Sequence, residues 1–293
     1  MAALPQVVNR HAYHGKPLPE PNMYVGRGTP LGNPFTVKEH GVERALALYR
    51  RWLWQKIRGN DLRVMLWARR TGKTDFIVTA LCEDSIPGQV HPFVGPTITK
   101  AKDLIRPKLE EYEKTYGVKF TPKDGDKFIT PRGAIIQLFG LGSIPDAEKL
   151  RGGSYPFAVF DECGIPNQDI LKKAVLEFCQ PATNDWYRRG GRGIILSGTP
   201  GPIPEGFFFQ ACQGEFSASV HRGTIHDNPF FDGRADAVLQ KTLFQNKWKL
   251  TTPQYRREHL AEWCLDSEGL CYAMWDGSFH PTMHGGYTVL AID

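Results

Sequence analysis

Three consecutive residues, Gly72, Lys73 and Thr74, carry the groups that hold a polyphosphate. A glycine lets backbone N–H groups approach the phosphate oxygens, a lysine reaches the outer phosphates, and a hydroxyl ligates the accompanying Mg2+. The turn they close runs through Trp67, Ala68, Arg69, Arg70 and Thr71. It departs from the phosphate-loop pattern GxxxxGK[ST] at its first position, where Trp67 stands in place of glycine. Further along, Asp161 and Glu162 follow the apolar run FAVF. A carboxylate at the C-terminal end of a central parallel strand faces the crevice where ligands bind. There Asp161 would hold through water the Mg2+ that Thr74 ligates, and Glu162 would orient and deprotonate an attacking water. An Asp-Glu pair after a strand also ends many solvated turns, and the upstream Gly-Lys-Thr is what points to metal. Arg69 or Arg70 could fold over the terminal phosphate and stabilise transition-state charge, the alternative being a solvated loop arginine.

These groups can meet only if strands and helices alternate around them. Residues 63–67 read as a strand and 74–82 as a helix, followed by a strand at 91–95 and a charged helix at 99–116. Residues 128–129 and 134–139 flank a turn at Pro131–Gly133 and predict a hairpin. Buried strands are expected at 157–160 and 193–196, with a helix at 170–179 between them. The pattern predicts an α/β fold with a mainly parallel central sheet. After Pro200 the chain reads as loop-rich, with helices near 235–246 and 252–263. Residues 1–62 are set apart by Pro- and Gly-rich turns and one helical stretch at 42–57.

The chain has 293 residues, of which 41% are hydrophobic, enough for one large domain or two modest ones. No apolar run reaches the roughly 18 residues that span a bilayer, and the first residues lack the apolar core of a signal peptide. The six cysteines are scattered with no CxxC pair, which argues against disulfide and zinc frameworks and suits a reducing compartment. A net charge of +5 suits a polyanionic partner without identifying one.

The stretch from Arg63 to about Tyr272 resembles the ATPase part of the large terminase subunits of tailed phages and herpes-type viruses, which are DNA-packaging motors. Phosphate loops of that family often lack the first glycine and carry arginine three positions before the last one, here Trp67 and Arg69. FVGPTITKAKDLI, the run from Pro131 through LRGG to Glu162, ILSGTP and YRREHLAEWCLDSEGLCY follow in the family's order. The resemblance implies a P-loop (RecA/ASCE-like) ATPase over 63–225, with a lid or linker subdomain over 226–275. It implies hydrolysis of ATP with Mg2+, with Glu162, Arg69 and Lys73 as the catalytic groups. Ser197, Gly198 and Thr199 would sense the γ-phosphate and couple hydrolysis to lid movement. Arg151 in LRGG would report nucleotide state or reach a neighbour, a plain salt bridge being the other reading.

Expected partners are double-stranded DNA contacted independently of sequence, further copies of the chain in a ring, a portal protein and a small terminase subunit. The setting implied is a bacterial host cytoplasm, with no membrane. Basic residues in the loops after Gly201, such as Arg222, are candidate DNA contacts. GYTVLAID, at the end of the stretch 276–293, looks like the opening strand of an RNase H-like nuclease and stops at Asp293. No cleavage activity is expected without the later metal-binding carboxylates. Tyr24–Phe35 resembles an uncharacterised phage and bacterial domain with a YxGRGxPLGNPF signature, which leaves adenine recognition without the family's usual segment. Two other readings stand beside the motor: a helicase-like ATPase, and a fragment that binds nucleotide or proteins without turnover.

Overall fold

The computed structural model describes residues 62–264 together with four two-residue strands ahead of them. These are β1 (Ala12–Tyr13), β2 (Lys16–Pro17), β3 (Met23–Tyr24) and β4 (Thr29–Pro30). The expected helix at 42–57 and the nuclease-like strand ending at Asp293 lie outside the described residues.

Three strands form the centre because nearly all their side chains are apolar on both faces, Arg63 and Ser197 being the exceptions. They are β5 (Leu62–Trp67), β10 (Phe157–Phe160) and β11 (Gly193–Gly198), and all their residues are buried. Around them run β6 (Val90–Gly95), β7 (Thr121–Lys123), β8 (Lys127–Ile129), β9 (Ile135–Gly140) and β12 (Ser219–Gly223). The resulting nine-stranded sheet has the order β4-β12-β5-β11-β10-β6-β9-β8-β7. Pairings from β4 across to β9 are parallel, and the β8 and β7 margin is antiparallel. The predicted hairpin is the β8–β9 pair, with Ile129 opposite Ile135.

Helices cover both faces. Met65, Trp67, Phe93, Val159 and Ile195 pack on one side under α1 (Lys73–Glu83) and α2 (Ile98–Tyr116). Val64, Leu66, Ala158, Phe160 and Leu196 pack on the other. That second face is covered by α3 (Ile144–Glu148), α4 (Gln168–Lys173), a π-helical segment (Ala174–Cys179), α5 (Gln180–Asn184) and α6 (Gly206–Cys212). The expected helix at 170–179 is thus longer and contains a π segment, which ends where Pro181 removes an N–H from the ladder. The part read as loop-rich after Pro200 contains α6 and β12, neither of which was expected. Both are short, and β12 (SVHRG) alternates too little apolar character to mark itself as a strand.

A separate small core follows. Ile225, Leu239, Tyr255 and Leu260 pack together, joined by Phe231 and Trp248. It is built by α7 (Ala235–Asn246) and α8 (Pro253–Leu260), after which β13 (Trp263–Cys264) pairs with β3. No helix among the described residues is long and apolar enough to cross a membrane.

Candidate active site

The loop between β5 and α1 turns sharply because two of its residues take left-handed backbone. Arg70 has φ 66° and Gly72 φ 92°, the second at no steric cost. Lys73 opens α1 and points back under the loop, donating to the carbonyls of Trp67 at 3.0 Å and Ala68 at 3.3 Å. Thr71 Oγ1 also donates to Ala68 O, at 2.9 Å. The Trp67 ring is fully buried against Phe76, 5.6 Å between centroids, so this residue reaches the loop through its carbonyl alone.

The outer side of the loop is held by residues far away in the chain. Ala68 N donates to Gly223 O at the end of β12, and Asn228 Nδ2 donates to Arg70 O at 2.8 Å. The Arg69 amide donates to Glu258 O at 2.6 Å, and its guanidinium pairs with the Glu258 carboxylate at 3.3 Å, the arginine side chain being 63% exposed. Arg70 lies 6.0 Å over the Phe231 ring. The small core of α7 and α8 therefore sits against the loop between β5 and α1.

The carboxylates arrive on the neighbouring strands. β11 lies between β5 and β10, so the chain leaves three adjacent parallel strands on the same edge as the phosphate loop. Asp161 is buried and its amide donates to Val94 O at 2.8 Å. Glu162 is half-buried with φ 56°, a left-handed conformation that costs on the order of 1 kcal/mol for a residue with a Cβ. Its amide turns back to donate to Asp161 Oδ1 at 3.0 Å.

The carboxylate turn and the turn after β11 interlock. Cys163 N donates to Ser197 O at 2.9 Å. A Cβ on Gly164 would lie 2.5 Å from Thr199 O, and one on Gly198 would lie 3.0 Å from Cys163 N. Only glycines allow so close an approach.

Charge in this corner is concentrated and dry. Burial holds the Lys73 ammonium below its ordinary pKa, opposed by Glu162 and Asp161. Burial first, and the Glu162 charge second, push the Asp161 carboxyl up to about 6, opposed by Lys73 and by the nearby Ser197 hydroxyl. By distance and angle, Asp161 Oδ2 and Ser197 Oγ are nonetheless both buried without a hydrogen-bond partner. Two unsatisfied oxygens beside a buried lysine form an arrangement that a cation with phosphate oxygens would complete.

The structure thus brings together the loop residues Trp67 to Thr74, the carboxylates Asp161 and Glu162, and the turn Ser197, Gly198 and Thr199. Thr74 lies half-buried in the first turn of α1. Arg151 stands apart, stacked 4.6 Å over the Phe178 ring, with no hydrogen bond or ion pair to the loop. Arg222, expected in a loop, lies inside β12 with Nη2 donating to Ala261 O at 3.3 Å. Burial lowers its pKa, so it is a poor candidate for an exposed DNA contact. Sequence reading missed Asn228, Glu258 and Gly164. Asn228 looks like an ordinary turn former, and its Oδ1 does accept from Phe230 N, while its amide nitrogen holds the phosphate loop.

A model for a domain of unknown function (DUF4326) matches residues 8–92, a stretch that runs through the phosphate loop. No curated protein matches the chain. Among solved structures, the large terminase of a thermophilic bacteriophage superposes with a TM-score of 0.55 at 17% identity, over 79% of this chain and 54% of that one. The same phage's terminase in complex with ADP gives 0.56 at 18% identity, over 74% and 52%. Its complex with ATP-γ-S gives 0.53 at 18% identity, over 79% and 53%. The chain spans about half the length of these terminases and shares their fold over that span.

Proposed function

We propose that this chain is a P-loop ATPase of the terminase type, whose hydrolysis of ATP drives the movement of double-stranded DNA. The observation that carries the reading is Lys73, Asp161 and Glu162 gathered, with Ser197, at one edge of three adjacent parallel strands. The thermophilic phage terminase, which shares the fold, has been solved with ADP and with ATP-γ-S.

The residues fit a triphosphate with Mg2+, which when bound would neutralise charge on the β- and γ-phosphates. Thr74 and Asp161 would hold the metal, the unsatisfied Asp161 Oδ2 being the free acceptor. Lys73 would turn its ammonium from the Trp67 and Ala68 carbonyls to phosphate oxygens. The backbone N–H groups from Ala68 to Thr74 would cradle the phosphates at the N-terminus of α1. Glu162, half-buried and held by its left-handed backbone, would accept a proton from the attacking water. Arg69 is exposed enough to swing from Glu258 towards the terminal phosphate. Ser197 and Thr199, interlocked with the carboxylate turn, would register the loss of that phosphate and pass it to the small core, which acts as a lid. Further copies forming a ring, a portal protein, a small terminase subunit and a phage-infected bacterial cytoplasm follow from the same reading.

The test is Mg2+-dependent ATP turnover by the purified chain beside Glu162→Gln, with and without duplex DNA. Turnover that falls at least about 100-fold in the variant, with nucleotide still bound, is the expected result. Equal turnover by both proteins would remove Glu162 from the mechanism and the reading with it.

A further inference from the structure

Two loops with the same tripeptide, Arg-Gly-Gly, lie side by side at the edge of the sheet opposite the phosphate loop. Residues 151–153 lead into β10 and residues 189–191 lead into β11. They are built alike. The first glycine of each is left-handed, φ 76° at Gly152 and 82° at Gly190. The second has no room for a Cβ, which would lie 2.0 Å from the Tyr155 ring at Gly153 and 2.5 Å from Trp186 Cβ at Gly191.

The loops are laced together. Trp186 Nε1 donates to Ser154 Oγ at 2.7 Å, Tyr155 N to Ala182 O at 3.2 Å, and Arg192 N to Pro156 O at 2.6 Å. This frame presents Arg188 and Arg189 to solvent beside Tyr187, which is 61% exposed. Among the described residues neither arginine has an ion pair, whereas Arg192 is neutralised by Asp84 at 2.6 Å. Arg151 is exposed on the neighbouring loop, and Asp185 is the acidic residue next to the pair in sequence. Adjacent unpaired cations on a glycine frame repel one another and do nothing for the core. Their chemistry is that of phosphate recognition, since a guanidinium bonds phosphate oxygens in pairs.

We propose that this edge, centred on Arg188 and Arg189, binds the phosphate backbone of duplex DNA. The choice of duplex rests on the function proposed above, and the exposed surface agrees with it, because one tyrosine is too few for the stacking platform that single strands need. β11 joins this edge to the active site, running from Gly193 beside the basic loop to Ser197 and Gly198 beside Asp161. A strand of that length spans roughly 20 Å. DNA would therefore be held at one end of the strand whose other end carries the phosphate-sensing hydroxyl.

The experiment is fluorescence anisotropy of a labelled random-sequence duplex with the full chain, as a function of salt. Each phosphate bond removed lowers the slope of log K against log salt by about 0.9, so Arg188→Ala/Arg189→Ala lowers it by about 1.8 and weakens binding at least about tenfold at low salt. Basal ATP turnover without DNA and the melting temperature stay at their wild-type values. Arg188→Lys/Arg189→Lys restores the slope, and Tyr187→Ala keeps duplex binding within about twofold. An unchanged slope in the double alanine variant overturns the site. Loss of binding in Tyr187→Ala with none in the arginine variant overturns the phosphate assignment in favour of stacking. A chain that turns over ATP but does not bind duplex refutes this inference and leaves the ATPase standing. One that binds duplex through these arginines without turnover refutes the ATPase and leaves the site.

Discussion

Adding one methyl group at Gly164 tests whether the carboxylate turn after β10 and the turn at the end of β11, proposed to catalyse hydrolysis and to sense phosphate, move as one body. The new Cβ would lie 2.5 Å from Thr199 O, and real Cβ atoms essentially never approach closer than 3.0 Å. The obstacle is backbone, so one turn must shift by about half an ångström or more. Overpacking of this kind costs roughly 1–3 kcal/mol, offset by up to about 1 kcal/mol from the stiffer unfolded chain. At about 2–4 °C per kcal/mol for a domain of this size, a net loss of roughly 1–2 kcal/mol lowers the melting temperature by about 2–8 °C. A displacement of about 1 Å at a catalytic group costs on the order of 100-fold in rate, so half that shift lowers single-turnover hydrolysis by about tenfold. Gly142→Ala is the control, since its Cβ would meet nothing closer than 3.7 Å and should leave stability unchanged or raise it by up to about 1 kcal/mol. The measurement is a thermal melt of both variants together with single-turnover ATP hydrolysis. A Gly164→Ala protein that melts and reacts like the control would mean that the turns slide freely, and the interlock would be dismissed. Lost stability with wild-type hydrolysis would make it structural only.

Lys73→Met should weaken ADP binding by about 10- to 150-fold, the value of a charge-assisted phosphate bond, and an unchanged affinity by titration calorimetry would remove Lys73 from the site. The fold should persist in that variant, because burying the ammonium already works against its charge. Glu262→Ala should cost roughly 3–5 kcal/mol in urea melts, since it strands Arg256, whose Nε lies 2.8 Å from Glu262 Oε2 in a buried pair; a loss below about 1 kcal/mol would contradict this. His91 is buried, and its Nε2 accepts from Ile86 N at 3.0 Å, so burial drives its pKa from 6.5 down to about 4. The folded state thus binds fewer protons than the unfolded one between those values, and stability present above pH 6.5 falls by roughly 3 kcal/mol as pH drops to 4. His91→Gln, which keeps an acceptor but does not titrate, should flatten that limb, and an unaltered acid limb would assign it to other groups.

Local pattern decided much of this protein. β5, β10 and β11 were legible because strands buried on both faces are mostly apolar, the exceptions here being Arg63 and Ser197. The nucleotide-site candidates could be proposed from sequence because Gly72, Lys73 and Thr74 would act through a loop and the helix end that follows it, and Asp161 and Glu162 at the end of a strand. What remained was decided by contacts between distant parts of the chain. Sequence cannot show that β11 enters between β5 and β10, because each run is only a short buried strand by its pattern and register and crossover place them. Nor can it show that β12, a polar run, completes the sheet beside the phosphate loop. Asn228 and Glu258 hold that loop from the small core, and each has the local chemistry of an ordinary turn or helix residue. Gly164 and Thr199 meet only because two strand ends are packed side by side, and the pairing of the two Arg-Gly-Gly loops arises in the same way at the opposite edge. The sequence by itself determined which residues could do the chemistry, since that depends on side-chain type and short spacing. The tertiary structure alone decided which of them share a site and what holds them there, because those distances are set by packing across the sheet.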